Sequence, residues 1–143
     1  MGENLEAKEF LQQVKTIDLR IKNKLIEKQQ WHDLALTITA NMDGERVQSS
    51  GAKDKMASAL NVCVDMEDEI FREVVALRDD KKKVVQTIER LYSPTEYDVL
   101  HRRFVQYQTL QDIADDYGKD YGWAKVTCKR AVGHVQAILN RKE

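Results

Sequence analysis

The chain reads as an all-α protein: a long antiparallel, coiled-coil-like helical hairpin followed by a C-terminal three-helix domain with the outline of a helix-turn-helix. Three observations predict this. Proline occurs once and glycine six times in 143 residues, so places to turn are few and the helices must be long. Apolar residues return every three or four positions over most of residues 1–91, the spacing of one helical face. Beyond Leu91 the long pattern gives way to short apolar segments, each opened by a helix-start signal.

The first helix is expected from about Asn4 to Asn41. Phe10, Val14, Ile17, Ile21, Leu25, Trp31, Leu34 and Ile38 recur at helical spacing, and Leu11 and Ile26 widen the stripe. A helix of this length extends roughly 55 Å at about 1.5 Å per residue. One apolar stripe on so long a helix requires a partner. Asp43–Gly51, with two glycines and two serines, reads as the connector. Ser49 or Ser50 can cap the next helix, with Asp54 in its first turn.

The second helix runs from about Ala52 to Leu91. Met56, Cys63, Ile70, Leu77, Val84 and Leu91 stand seven apart, and Leu60, Val74 and Ile88 occupy the partner positions. Glu67 and Lys81 interrupt that second row. A sustained seven-residue repeat is a coiled-coil signal, and two helices of matched length joined by a short connector pair antiparallel. Two helices alone bury little surface. Residues 1–91 are therefore expected to oligomerise, a dimer being favoured, through Met56, Leu60, Cys63, Ile70, Val74, Leu77, Val84 and Ile88. A purely intrachain hairpin is the alternative. Acids and bases cancel within Arg78-Asp-Asp-Lys-Lys-Lys83, so this run reads as a solvated face.

Residues 92–143 form the second expected domain. Ser93, Pro94 and Glu96 make a proline-bearing capping box for a helix from Pro94 to about Gln106, with Tyr97, Leu100, Phe104 and Val105 inward. Thr109 and Asp112 repeat the box. Leu110, Ile113, Ala114 and Tyr117 form the next apolar set, closed by Gly118 as a left-handed cap. Asp120 caps the last helix, whose inward stripe is Ala124, Cys128, Ala131, Val132, Val135, Ile138 and Leu139. Helix, tight turn, helix is the helix-turn-helix outline.

Charge is distributed to match. Net charge is -1 overall, yet from Lys119 onward it is +4, the sign that suits a phosphate backbone. With its stripe inward, the last helix shows Tyr121, Gly122, Lys125, Val126 and Lys129, with Arg130 at the flank. Gly122 permits close backbone approach, and Tyr121 or Val126 can meet a thymine methyl. Lys125 suits a guanine edge or a phosphate; Lys129, Arg130, Lys119, Arg102 and Arg103 suit phosphates. The bland reading is that these cations only solubilise an amphipathic helix. Trp123 fits either a core or a position beside DNA. Asp112, Asp115 and Asp116 keep their helix away from phosphate and can instead meet a protein.

Other classes find little support. His32, His101 and His134 are scattered, with no metal-ligand spacing, no phosphate-binding glycine loop and no nucleophile–base pair. No metal or cofactor is expected, and the chain reads as a non-enzyme. Cys63 and Cys128 are read as reduced thiols. MGENLEAKEF lacks a signal peptide's basic region, Glu6 stands where myristoylation wants Ser or Thr, and no apolar run approaches membrane-spanning length. A soluble cytoplasmic protein is expected.

The segment Leu91–Leu139, with its capped helix, Thr109-Leu-Gln-Asp-Ile-Ala-Asp-Asp-Tyr-Gly118 and a following helix bearing Lys129-Arg-Ala131, resembles region 4 of bacterial sigma factors. Together with the long helical half containing Arg46-Val-Gln-Ser-Ser50, the chain resembles the sigma-like ArpU- and RinA-type late-gene activators of phages and prophages in Gram-positive bacteria. The sigma pattern has Ser or Thr and an arginine-rich face where Asp120-Tyr-Gly-Trp-Ala-Lys125 stands here. The resemblance implies a sequence-specific DNA-binding regulator of phage genes in the bacterial host cell, with double-stranded DNA as ligand and RNA polymerase as a further partner. A DNA-packaging or assembly protein of small-terminase type, which also joins a helix-turn-helix to an oligomerising stalk, is the alternative.

Overall fold

The computed structural model describes residues 5–44 and 50–141, and among them every regular element is helical. Helix α1 spans Leu5–Gly44 and α2 spans Ser50–Glu89. Three shorter helices follow: α3, Pro94–Leu100; α4, Leu110–Asp116; and α5, Tyr121–Asn140. The connector between the long helices is shorter than its glycines and serines suggest, because α1 continues through Gly44 and Ser50 already lies in α2. Residues 45–49, with Arg46-Val-Gln-Ser49 and the Ser49 cap, lie outside the described residues. No helix among those described is long and apolar enough to cross a membrane.

The chain divides into two compact units, and the division does not fall at residue 91. Unit 1 takes Met1–Asp18 together with Asp79–Glu143, and unit 2 takes Leu19–Arg78.

Unit 2 consists of the facing parts of α1 and α2. Lys24 Nζ lies 3.1 Å from Glu73, and His32 Nδ1 lies 3.0 Å from Glu67. As the number rises on one helix it falls on the other, so these segments run antiparallel. Burial follows the seven-residue register. Ile21, Lys24, Lys28, Trp31, Ala35 and Ile38 of α1 are half-buried; from α2, Cys63, Ile70 and Val74 are buried, and Met56, Leu60, Glu67 and Leu77 half-buried. Lys24 and Glu67, at inward positions, reach out to interhelical partners, because a long aliphatic stem can be covered while its charged head stays wet.

Unit 1 has a different cross-section. Ala7, Leu11 and Val14 of α1 join Val84, Ile88 and Leu91 in one cluster with Val99, Leu100, Ile113, Cys128, Ala131, Val132, Val135 and Ile138. The first turns of α1 and the last of α2 thus belong to the same core as α3, α4 and α5. Polar bonds also fasten α1 there. The Ala7 amide, which no residue earlier in the helix can satisfy, donates to Gln136 Oε1 at 2.9 Å, and Lys81 Nζ pairs with Asp18 at 2.9 Å.

The eight residues expected at a subunit interface are accounted for inside one chain. Cys63, Ile70, Val74, Val84 and Ile88 are at most 4% exposed, and Met56, Leu60 and Leu77 are half-buried. The five buried ones are thus covered within a single chain, while Met56, Leu60 and Leu77 keep part of their surface exposed.

The helix expected from Pro94 to Gln106 also differs. After Leu100 it widens into a π-helical turn, His101–Val105, in which the Gln106 amide donates to the His101 carbonyl at 3.0 Å. The chain then passes through Tyr107 at φ 62, a left-handed conformation uncommon outside glycine. The Arg103 side chain, four residues earlier, and the Tyr107 side chain itself hold it. Arg103 Nη1 donates to the Gln108 carbonyl at 3.2 Å, and the Tyr107 hydroxyl donates to the Asp18 carboxylate.

Candidate nucleic-acid interface

The site is built on three local devices that place α5. At the start of α4, Asp112 N donates to Thr109 Oγ1 at 3.1 Å and Thr109 N to Asp112 Oδ2 at 3.4 Å, a complete reciprocal capping box. At its end Gly118 takes φ 65. Lys119 N donates to the Ala114 carbonyl at 2.9 Å and Gly118 N to that of Asp115 at 3.1 Å. This pair of bonds is a Schellman motif. Two residues later Asp120 Oδ1 accepts from Trp123 N at 2.8 Å and α5 begins.

Upstream, the box expected at Ser93 is only half formed. Ser93 Oγ accepts from Glu96 N at 3.3 Å, but the Glu96 carboxylate turns inward, to 6% exposure, and meets His134 Nδ1 of α5 at 2.5 Å. An acidic side chain that local spacing assigns to its own helix end is drawn off by a helix 38 residues away.

The face of α5 matches its sequence pattern. Ala124, Thr127, Cys128, Ala131, Val132, Val135 and Ile138 are buried. Opposite them Tyr121, Gly122, Lys125, Val126, Lys129 and Arg130 are exposed, as is Lys119 in the turn. No acidic residue occurs between Tyr121 and Asn140. Among the described residues, none of Lys119, Lys125, Lys129 and Arg130 enters an intrachain ion pair; the pairs formed use other groups. Four cations are therefore available on one surface, with Val126 at 55% and Tyr121 at 49% exposure beside them. A Cβ at Gly122 would meet nothing nearer than Asp120 Oδ1 at 3.4 Å, so the fold itself places no demand on a glycine there.

Arg102 and Arg103, expected as phosphate contacts, are committed elsewhere. Arg102 Nε bonds Asp98 and Arg102 Nη1 bonds Asp116, both at 2.8 Å, and the guanidinium lies over the Tyr117 ring at 5.7 Å. Two carboxylates cancel its charge. The Tyr117 hydroxyl donates to Asp98 as well. Burial pushes the Asp98 carboxyl up, but the bonds from Tyr117 and Arg102 outweigh it and hold the group below its usual range. Burial, and then the hydrogen bond to Asp98, push the Tyr117 phenol up to about 12. Arg103 is half-buried in the π turn and lines a cleft of about 320 Å³ with Gln12, Lys15, Thr16, Phe104 and Tyr107.

The three aspartates of α4 are similarly engaged. Asp112 closes the capping box, Asp115 accepts from Gln111 at 2.8 Å, and Asp116 holds Arg102. Trp123 is half-buried and packs against Tyr117, ring centroids 5.0 Å apart, so its ring supports the α4–α5 corner. His32, His101 and His134 each hydrogen-bond one side chain, Glu67, Gln106 and Glu96 respectively. Among the described residues no three His, Cys, Asp or Glu side chains gather where a metal could sit. Cys63 and Cys128 are free and buried, and burial raises the Cys128 thiol.

Neither a family model nor a curated protein nor a solved structure matches this chain.

Proposed function

We propose that α4, the Gly118 turn and α5 act as a helix-turn-helix that reads double-stranded DNA, carried by an antiparallel helical hairpin that brings two copies together, and that the protein regulates transcription. The observation that carries this reading is the surface of α5: a helix set after a tight turn, free of acids, with Lys125 and Lys129 unpaired. In a helix-turn-helix the first turns of the second helix lie in the major groove. Tyr121, Lys125 and Val126 are the residues for base edges, and Gly122 lets the backbone approach them. Lys119, Lys129 and Arg130 are the residues for phosphates. A +4 terminal segment binds weakly alone, and pairing two readers raises their effective concentration.

The test is duplex-DNA binding by fluorescence anisotropy across a salt series. Affinity falls steeply as salt rises, and each lost phosphate contact lowers the slope of log K against log salt by about 1. Lys125→Glu with Lys129→Glu abolishes binding at low salt and leaves the helical circular dichroism intact. Equal binding by that variant, or none by the parent at low salt, sinks the reading. Arg102→Gln, by contrast, leaves the salt slope unchanged, because that guanidinium already faces two carboxylates.

A further inference from the structure

We propose that a second copy of this chain docks on the flank of unit 2 that carries Leu25 and Leu36 of α1 and Val64, Phe71 and Val75 of α2. All five are exposed, from 42% at Val75 to 57% at Leu36. Their places in the register put them on one side. Inward positions come in pairs three residues apart: Leu60 with Cys63 and Glu67 with Ile70 on α2, Ile21 with Lys24 and Lys28 with Trp31 on α1. Val64 and Phe71 each follow the second member of a pair, and Val75 lies one helical turn beyond Phe71. Leu25 likewise follows Lys24, and Leu36 lies three turns farther along the same stripe. In an antiparallel pair the residues just after the second inward position of each helix come to the same side. The antiparallel sense is given by Lys24–Glu73 and His32–Glu67.

Three observations favour a second copy as the occupant. The first is the thinness of the core that unit 2 makes for itself. Cys63, Ile70 and Val74 are its only buried apolar residues among those described, and no residue from Leu19 to Asn41 is buried. A two-helix layer with an apolar flank is half of a four-helix bundle. The second is area. Leu19–Gly44 of α1 rises roughly 40 Å, and two helices side by side are about 20 Å wide. Such a face covers on the order of 800 Å², the share one partner supplies to a standard interface. The third is charge. Residues 19–78 carry a net charge of -1, so two copies meet with little repulsion, and the face offers no field to a strongly charged partner. A two-fold axis through one patch closes the assembly at two chains.

The opposite side of the pair is less apolar. There Leu34, Val62 and Met66 alternate with Arg20, Glu27, Glu69 and Glu73, which is why the Phe71 flank is assigned.

This inference specifies the self-association included in the functional reading and does not depend on DNA. Its test is therefore the mass of the full chain in DNA-free buffer, by sedimentation equilibrium or light scattering. The parent runs at twice the 16.6 kDa of one chain. Phe71→Glu with Val75→Lys, and separately Leu25→Glu with Leu36→Lys, halve that mass while helical circular dichroism is retained. Leu19→Glu with Ile26→Lys, on the outer side of α1, stays dimeric. A parent that is monomeric at every soluble concentration overturns the inference. So does a mass above two chains, or a dimer that survives both flank variants. If one flank variant fails to fold, the other decides, since the two lie on different helices. Loss of DNA binding in Lys125→Glu with Lys129→Glu without a change in mass counts against neither.

Discussion

Unit 1 and unit 2 are built from the same two helices and differ in what covers them. In unit 1 the pair made by the start of α1 and the end of α2 shares a core with α3, α4 and α5, and 17 of the 20 buried apolar residues among those described lie there. In unit 2 the pair has only itself and buries three. Among the described residues, large exposed apolar side chains divide the other way, nine in unit 2 against four in unit 1, and three of those four are tyrosines, whose hydroxyls tolerate water. Each helix of a pair can hide one stripe from solvent; its flanks stay wet until a third element arrives. The contrast is that the apolar flanks of unit 2 remain exposed in a single chain, whereas in unit 1 further helices cover them.

The largest expected effect tests that contrast in stability. Leu100, fully buried in unit 1, costs about 2–5 kcal/mol on truncation to alanine, the range for deleting a core leucine. Leu60 in unit 2 is half-buried and costs about 1 kcal/mol in the background of Phe71→Glu with Val75→Lys, because less surface leaves water and no closed cavity forms. Urea denaturation measures both. Equal losses would break the comparison.

The next effect is local to unit 1. Gly118→Ala costs about 1–2 kcal/mol, since φ 65 is strained for any residue with a Cβ; no neighbouring atom adds to the cost, because the added Cβ meets nothing within 4 Å. Gly122→Ala, four residues on and inside α5, stabilises by up to about 1 kcal/mol, alanine being the better helix former. The same change weakens duplex-DNA binding if the backbone at Gly122 enters the groove. Thermal melts and anisotropy separate the two roles.

The smallest effect is a pH dependence that belongs to unit 1. The Tyr117 phenol is raised in the folded state, so its contribution is whole below about 10 and is lost as pH rises toward about 12. The Asp98 carboxyl is lowered, so its contribution is present above the ordinary carboxylate range and is lost as pH falls through the depressed value. Both signs follow from linkage. Tyr117→Phe flattens the alkaline limb of a stability–pH profile, and Asp98→Asn flattens the acid limb. A sharper profile after Tyr117→Phe would contradict the network drawn around Asp98.

Much of this molecule is legible one residue at a time. The Thr109–Asp112 box, the Gly118 turn and the Asp120 cap are all recoverable from spacing, because each closes within six residues and owes nothing to distant chain. The inward stripe of α5 is equally legible, since a helix spaces its faces by geometry alone. The exposed set Lys119, Tyr121, Gly122, Lys125, Val126, Lys129 and Arg130 follows from that stripe by subtraction. Arg102 and Arg103 do not. Their charge depends on Asp116 of α4 and on the π turn, and neither a carboxylate 14 residues away nor a change in helix type is visible in a run of residue types.

The same limit explains the long helices. A seven-residue repeat states that α1 and α2 each have an inward side, and the matched lengths state that they pair. Whether the inward side meets a neighbour in the same chain or in another copy is the same pattern either way, since the hydrophobic effect is non-directional and counts only area removed from water. Leu11 and Leu25 both read as stripe residues of one uniform helix. Folding placed Leu11 at 0% exposure and left Leu25 at 44%. Composition and periodicity decided the helices and the face of α5, together with the capped ends of α4 and α5. The join between Ala7 and Gln136, the capture of Glu96 by His134 and the division of the pair into a covered and an uncovered length came from contacts between residues far apart in the chain, which no local pattern encodes.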